Sequence, residues 1–307
     1  MTDAPQEQPS QPGPQKSGSD LSVRFAMGIA MIAVAVLITI QGGWLFRVFA
    51  LALTAVMLVE WADMKKVPRL WAWVGSALAA GILLAAAEYF YPIAYNPDTD
   101  EFIALNLLSF APALAGAVLL GLASRSLAMG WGFLYITLPA FCLVVLSWAS
   151  ADTMGELVFW VFAVTWSTDI FAYFAGRAIG GPKLAPRISP NKTWAGLIGG
   201  MAGASCFGWL LAWYFGLGSP FLWLGATMGL VAQLGDLYES WEKRRAGIKD
   251  SGSLLPGHGG VLDRLDGLLA VALAVMIILL CNFWNPPEAP EVMDAATAMV
   301  VAGPTAG

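Results

Sequence analysis

Four aspartates stand where a largely apolar chain has little reason to keep them. Asp169 lies in "WSTDIFAYFAG", Asp236 in "GDLYES", and Asp263 and Asp266 in "LDRLDG". Asp236 with Glu239, and Asp263 with Asp266, are spaced i, i+3, which puts each pair on one helix face. Around them run "ISPNKTWAG" at 188–196 and "KDSGSLLPGHGG" at 249–260, the latter holding the chain's single histidine. Carboxylates collect Mg²⁺, a hard ion that shares its coordination sphere with phosphates. Arginine holds phosphate in a bidentate fork and lysine as a point charge, and glycine lets backbone N–H groups approach closely. Acids and bases without a nucleophile–base pair point to phosphoryl or nucleotidyl transfer rather than acyl hydrolysis. No G-x-S-x-G, H-E-x-x-H or G-x-x-x-x-G-K-[ST] is present.

Each acid taken alone also has a structural reading. Asp263 suits an N-cap, Asp266 the positive end of a helix, and Asp169 a pairing with Arg177. Glu239 can pair with Lys243 at i, i+4. Their arrival from three separate helices, beside loops rich in lysine, arginine and glycine, favours function.

The elements that must position these residues are membrane helices. Of 307 residues, 58% are hydrophobic and 12% charged, where a soluble domain carries about 25% charged residues. A helix rises about 1.5 Å per residue, so about 20 apolar residues cross a hydrocarbon core of about 30 Å. Such runs recur at roughly 22–41, 43–60, 71–91, 103–123, 127–149, 156–175, 194–216, 219–239 and 264–284. The expected fold is therefore an all-α, polytopic helical membrane protein with about nine transmembrane helices. Setting the N-terminus in the cytoplasm puts fifteen of the sixteen lysines and arginines on that side, with Arg47 alone opposite, a strong positive-inside bias. The acids then gather at the cytoplasmic face of an inner membrane.

Four regions are expected: a disordered cytosolic tail at 1–21, N-terminal transmembrane helices at 22–149, a catalytic region at 150–285 and a C-terminal tail at 286–307. The polar start is rich in Gln, Pro, Ser and Gly and lacks the layout of a signal peptide. Cys142, Cys206 and Cys281 sit in apolar runs without metal spacing and read as small buried hydrophobes. The cytoplasmic segments 176–193 and 240–263 are rich in Gly, Pro and Ser and carry most of the chemistry.

The stretch "SWEKRRAGIKDSGSLLPGHGGVLDRLD" at 240–266 resembles the signature of the phosphatidate cytidylyltransferase family. Ser240, Lys243, Arg244, Lys249, Asp250, Pro256, Gly257, His258, Gly259, Gly260, Asp263, Arg264 and Asp266 fall on its fixed positions. Upstream, "DIFAYFAGRAIG" and "ISPNKTWAG" resemble a second region of that family. Two positions depart: Glu242 stands where the family has an apolar residue, and Ala195 where it has Glu. The resemblance implies that CTP and membrane phosphatidate give CDP-diacylglycerol and pyrophosphate, with one or two Mg²⁺ ions. It implies catalytic roles for Asp236, Asp263, Asp266 and Lys249, with the three aspartates as metal ligands. Lys192, Ser189, Lys243, Arg244, His258, Arg264 and Asp169 are then expected to bind substrates.

Two other functions fit some of these features. A CTP-dependent lipid or polyprenol kinase would share membrane, nucleotide and metal but release CDP. An ion-coupled transporter also uses acids within helices, but the acids cluster at one surface and no inverted repeat is visible. No nucleic-acid partner is expected. The small residues of "GLIGGMAGASCFG" at 196–208 permit close helix contact and, with it, a homodimer.

Overall fold

The apolar runs fold as helices. A computed structural model describes residues 17–94, 110–147, 155–254 and 259–281. These form α1 (Ser17–Gln41), α2 (Gly43–Met64), α3 (Arg69–Ala94), α4 (Ala111–Ala123), α5 (Leu127–Leu146), α6 (Glu156–Ala178), α7 (Trp194–Phe215), α8 (Ser219–Arg245) and α9 (Leu262–Leu280). Four of them, α2, α5, α6 and α7, are long and apolar enough to cross a membrane, and shorter apolar helical stretches occupy 27–41, 69–85 and 111–123. Residues 1–16 and 282–307, most of the two expected tails, lie outside the described residues, whereas 17–21 belong to α1.

The fold departs from the all-α expectation between α6 and α7. There β1 (Lys183–Ala185) and β2 (Ser189–Thr193) pair antiparallel, with Lys183 opposite Thr193 and Ala185 opposite Ser189. Pro186 suits the second position of the turn, which the Ile188 N–H closes by donating to the Ala185 carbonyl at 3.1 Å. The segment after 239 also differs from a loop. Helix α8 runs on to Arg245, so Lys243 and Arg244 are helical. Glu, Lys and Arg are good helix formers, and three basic residues in the last turn complement the negative helix end.

Glycines set the spacing of the C-terminal helices. A Cβ at Gly200 of α7 would lie 2.9 Å from the Thr168 carbonyl oxygen of α6. A Cβ at Gly203 would strike the Phe171 ring, and one at Gly199 the Ala175 methyl. The glycines of the stripe at 196–208 thus pack against α6, and Ala204 against Gly225 and Gly229 of α8, within the same chain. Likewise a Cβ at Gly235 of α8 would lie 2.8 Å from the Asp266 carbonyl oxygen of α9. Asp236 and Asp266 are brought together by that approach.

Two apolar clusters hold the bundle. One surrounds Trp160, Phe221 and Val271. The other joins Trp61 of α2 and Phe133 of α5 to Val261, Leu262 and Leu269 at the start of α9. It ties the N-terminal helices to the signature segment. Of the cysteines only Cys142 is buried; Cys206, on α7, and Cys281, just past the end of α9, are exposed.

Candidate active site

A cleft of about 500 Å³ opens between α6, the hairpin, α7 and α8, lined by Asp169, Tyr173, Arg177, Lys192, Gln233 and Asp236 among others. The hairpin is pinned over the start of α7. The Thr193 hydroxyl caps that helix by accepting from the Gly196 N–H at 3.0 Å, and the Trp194 N–H donates to the Pro182 carbonyl at 3.1 Å. Pairing along β2 then delivers Lys192 to α8. Its Nζ lies 2.7 Å from Asp236 Oδ2 and 3.5 Å from the Gln233 carbonyl oxygen. Asp236 Oδ1 accepts from the Ser240 hydroxyl at 3.3 Å. Asp169 and Asp266 both lie within electrostatic reach of Asp236, and Asp169 also of Lys192 and Arg264.

Two turns further along α8, Lys243 forms a second centre. It is 8% exposed and ion-paired with Glu239 on its own helix, as i, i+4 spacing allows. Its Nζ also donates to Asp263 Oδ1 at 2.7 Å. Asp263 accepts besides from the Gly260 N–H at 2.8 Å and from the Ser251 N–H at 3.0 Å on Oδ2 and 3.1 Å on Oδ1. Burial pushes the Asp263 carboxyl up, but the hydrogen bonds from Lys243 and Gly260 outweigh it and hold the group below the ordinary carboxylate range. Burial pulls Lys243 down, and the facing carboxylates of Glu239 and Asp263 more than reverse this. The pair is therefore charged on both sides. Gly259, at φ 83°, supplies the left-handed residue by which the chain turns into this arrangement.

The remaining expected residues are more scattered. Arg244 is exposed, and its guanidinium donates to the carbonyls of Ile188 at 3.2 Å and Ile248 at 2.9 Å. It thereby links α8 to the hairpin near Ser189. Lys249 and Arg264 are exposed. His258, with Pro256 and Gly257, lies outside the described residues.

Asp236, Asp263 and Asp266 do not come together as one ligand set. Among the described residues no three acidic, histidine or cysteine side chains are grouped closely enough to hold a metal ion. Asp236 faces Asp266 and Lys192, whereas Asp263 is committed to Lys243 and two backbone N–H groups.

The structure also adds residues that the sequence reading passed over. Glu60 of α2 accepts from the Val261 and Leu262 N–H groups at 2.9 and 2.8 Å. Lys65, just past α2, is ion-paired with Glu242. The available signal was an acid in "LVEWADMKK" at the end of an apolar run, which on its own reads as a membrane boundary.

The sequence profile of the cytidylyltransferase family matches residues 22–282. The chain belongs to that family. Among its relatives is a phosphatidate cytidylyltransferase of Brucella suis biovar 1, 39% identical over 287 residues that cover 89% of this chain and 97% of the relative. The phosphatidate cytidylyltransferase of Brucella abortus biovar 1 is 40% identical over 268 residues, 83% of this chain and 91% of the relative. That of Pseudomonas aeruginosa is 41% identical over a shorter stretch of 169 residues, 53% and 60% of the two chains. The family match spans the cleft, the Lys243–Asp263 pair and α2 with Glu60 alike.

Proposed function

We propose that the chain transfers the cytidylyl group of CTP to phosphatidate, leaving CDP-diacylglycerol in the membrane and releasing pyrophosphate. The observation that carries this reading is the meeting of Lys243 with Asp263, two signature residues on different helices, beside the cleft where Lys192 meets Asp236. With nine crossings and the N-terminus in the cytoplasm, both centres would lie at the inner face, where a soluble nucleotide can reach a lipid headgroup. Phosphatidate is confined there because fatty chains bury at about 0.8 kcal/mol per CH₂.

In the reaction an oxygen of the phosphatidate phosphate forms a bond to the α-phosphorus of CTP. The bond from that phosphorus to the oxygen bridging to the β-phosphate breaks, and its electron pair leaves on pyrophosphate. A phosphomonoester has its second pKa near about 6, so the attacking oxygen is already ionised and needs no strong base. The barrier is repulsion between anions and charge growing on the leaving group, which fixed cations lower. Lys192 and Lys243 are held for this by Asp236 and Asp263, while Lys249, Arg244 and Arg264 offer exposed cations around them. Ser189 lies on the hairpin that carries Lys192. Asp169 lines the cleft and orients bound phosphate through Lys192.

Mg²⁺ takes one or two carboxylates and leaves its other positions to water and substrate phosphates. Asp236, whose side chain is 31% exposed, fits that donor set together with Asp266. Asp263, 7% exposed and already accepting from three donors, does not. Bound there, the ion would neutralise phosphate charge. The deciding assay supplies purified protein with radiolabelled CTP and phosphatidate vesicles. Pyrophosphate and labelled CDP-diacylglycerol are expected; CDP with a phosphorylated lipid would overturn the reading in favour of a kinase.

A further inference from the structure

Glu60 is 6% exposed, yet it belongs to the N-terminal half, far in sequence from the signature. Every hydrogen bond its carboxylate makes among the described residues goes to the signature segment. Oε1 accepts from the Val261 N–H at 2.9 Å, and Oε2 from the Leu262 N–H at 2.8 Å and the Ser251 hydroxyl at 3.2 Å. Val261 and Leu262 open α9, where the first N–H groups have no partner within the helix and a negative charge is favoured. Val261, at the cap position, has no side chain that could serve. Glu60 thus caps α9 from a different helix.

The same backbone holds Asp263. The Ser251 and Gly260 N–H groups that fix its carboxylate belong to Ser251, whose hydroxyl Glu60 grips, and to the residue before Val261. The fit leaves no room: a Cβ at Gly252 would lie 2.6 Å from Glu60 Oε1, and one at Gly260 2.7 Å from Oε2. Five residues on, Lys65 pairs with Glu242, the neighbour of Lys243. The end of α2 therefore grips the loop and α9 through Glu60, and α8 through Lys65.

We propose that Glu60 is a positioning residue of the reaction. It docks the 251–252 and 260–262 segments so that Asp263 stays aligned on Lys243. This inference rests on the cytidylyl-transfer reading and extends it by giving the N-terminal half a part in the active centre. The carboxylate form matters, because its two oxygens serve two N–H groups at once. A glutamine keeps one acceptor and turns an N–H₂ toward the other donor. An aspartate is one methylene too short to reach.

The test compares wild type, Glu60→Gln, Glu60→Asp and Glu60→Ala, each purified at full length in the same lipid nanodiscs. Turnover is measured against CTP with phosphatidate in excess, and folding by helical circular dichroism and thermal unfolding. A displacement of about 1 Å at a reacting centre costs about a hundredfold in rate. Glu60→Ala and Glu60→Asp should lose kcat on that scale with CTP KM changed less than about threefold, and Glu60→Gln should recover part of the loss. Glu60→Ala and Glu60→Asp that fold and keep kcat within about threefold of wild type would overturn the proposal. So would a loss of activity that merely follows the folded fraction. If Glu60→Ala does not fold, Glu60→Asp, which keeps the charge but not the reach, decides by the same kcat criterion. A wild type without cytidylyltransferase activity would refute the functional reading instead, before any variant is compared.

Discussion

Replacing Asp263 by asparagine keeps the side chain's size and removes its charge. The loss falls on a carboxylate that is 7% exposed and accepts from Lys243, Ser251 and Gly260. The new amide N–H₂ must face at least one of those donors. Removing one partner of a buried ion pair costs about 3–5 kcal/mol. Here the lower end applies, because Lys243 keeps Glu239 and is not left alone. With about 1.36 kcal/mol per factor of ten, about 3 kcal/mol felt in the transition state is roughly a hundredfold in turnover. Initial rates of CDP-diacylglycerol formation at saturating CTP and phosphatidate measure this, with thermal unfolding of the same sample as the control. An Asp263→Asn enzyme within about threefold of wild-type kcat would refute the reasoning. A variant that melts earlier but turns over normally while folded would refute it equally, since Asp263 would then serve stability alone.

Acid should act through the same residue. Asp263 is held below the ordinary carboxylate value of about 3.9, so its stabilising contribution is present above that value and disappears as pH falls through its own lower one. Wild type should therefore lose more stability than Asp263→Asn when unfolding is followed below about pH 4. Chelation should abolish turnover and Mg²⁺ restore it; Asp236→Asn should raise the Mg²⁺ concentration needed for half activity, whereas Asp263→Asn should leave it nearly unchanged. Glu242→Leu should destabilise by about 3 kcal/mol in thermal or denaturant unfolding by removing the partner of Lys65, and Lys65→Met by less, because Glu242 keeps Arg245 at 3.7 Å and the Tyr238 hydroxyl at 3.2 Å. The double variant should return close to wild type, because an apolar replacement of a buried pair is often neutral. Thr193→Ala should lower stability by about 1 kcal/mol through loss of the α7 cap, and Thr193→Ser should retain most of it.

Much of this architecture is legible in the chain because hydrocarbon leaves few options. A run of apolar residues in a bilayer must satisfy its own backbone and so becomes a helix, which is why each expected span overlaps one among the described residues, four of them long and apolar enough to cross. The hairpin at 183–193 was hidden, since "PKLAPRISPNKT" has too few β-branched or alternating apolar residues to announce two strands. The acids of the site were visible as charges out of place, but their partners were not. Glu242 looked like a departure from the family pattern, and only the fold shows Lys65 arriving from α2 to neutralise it. Glu60 escaped for the same reason: its donors are backbone N–H groups about two hundred positions away.

The separation of the expected metal ligands follows from the geometry of α8 itself. Asp236 and Lys243 are seven residues apart, two turns of helix and therefore on nearly the same face, but about 10 Å from each other along the axis. Asp263 is bonded to Lys243 and Asp266 lies against Gly235, beside Asp236. The i, i+3 spacing that puts Asp263 and Asp266 on one face of α9 thus sends them to different stations on α8. Metal ions that cooperate in phosphoryl transfer sit about 3.5–4 Å apart, well short of the distance between those stations. Each station on α8 carries a lysine held by a carboxylate, Lys243 by Asp263 and Lys192 by Asp236, which suits two anionic groups side by side. That is the demand made by a reaction in which one phosphate attacks another.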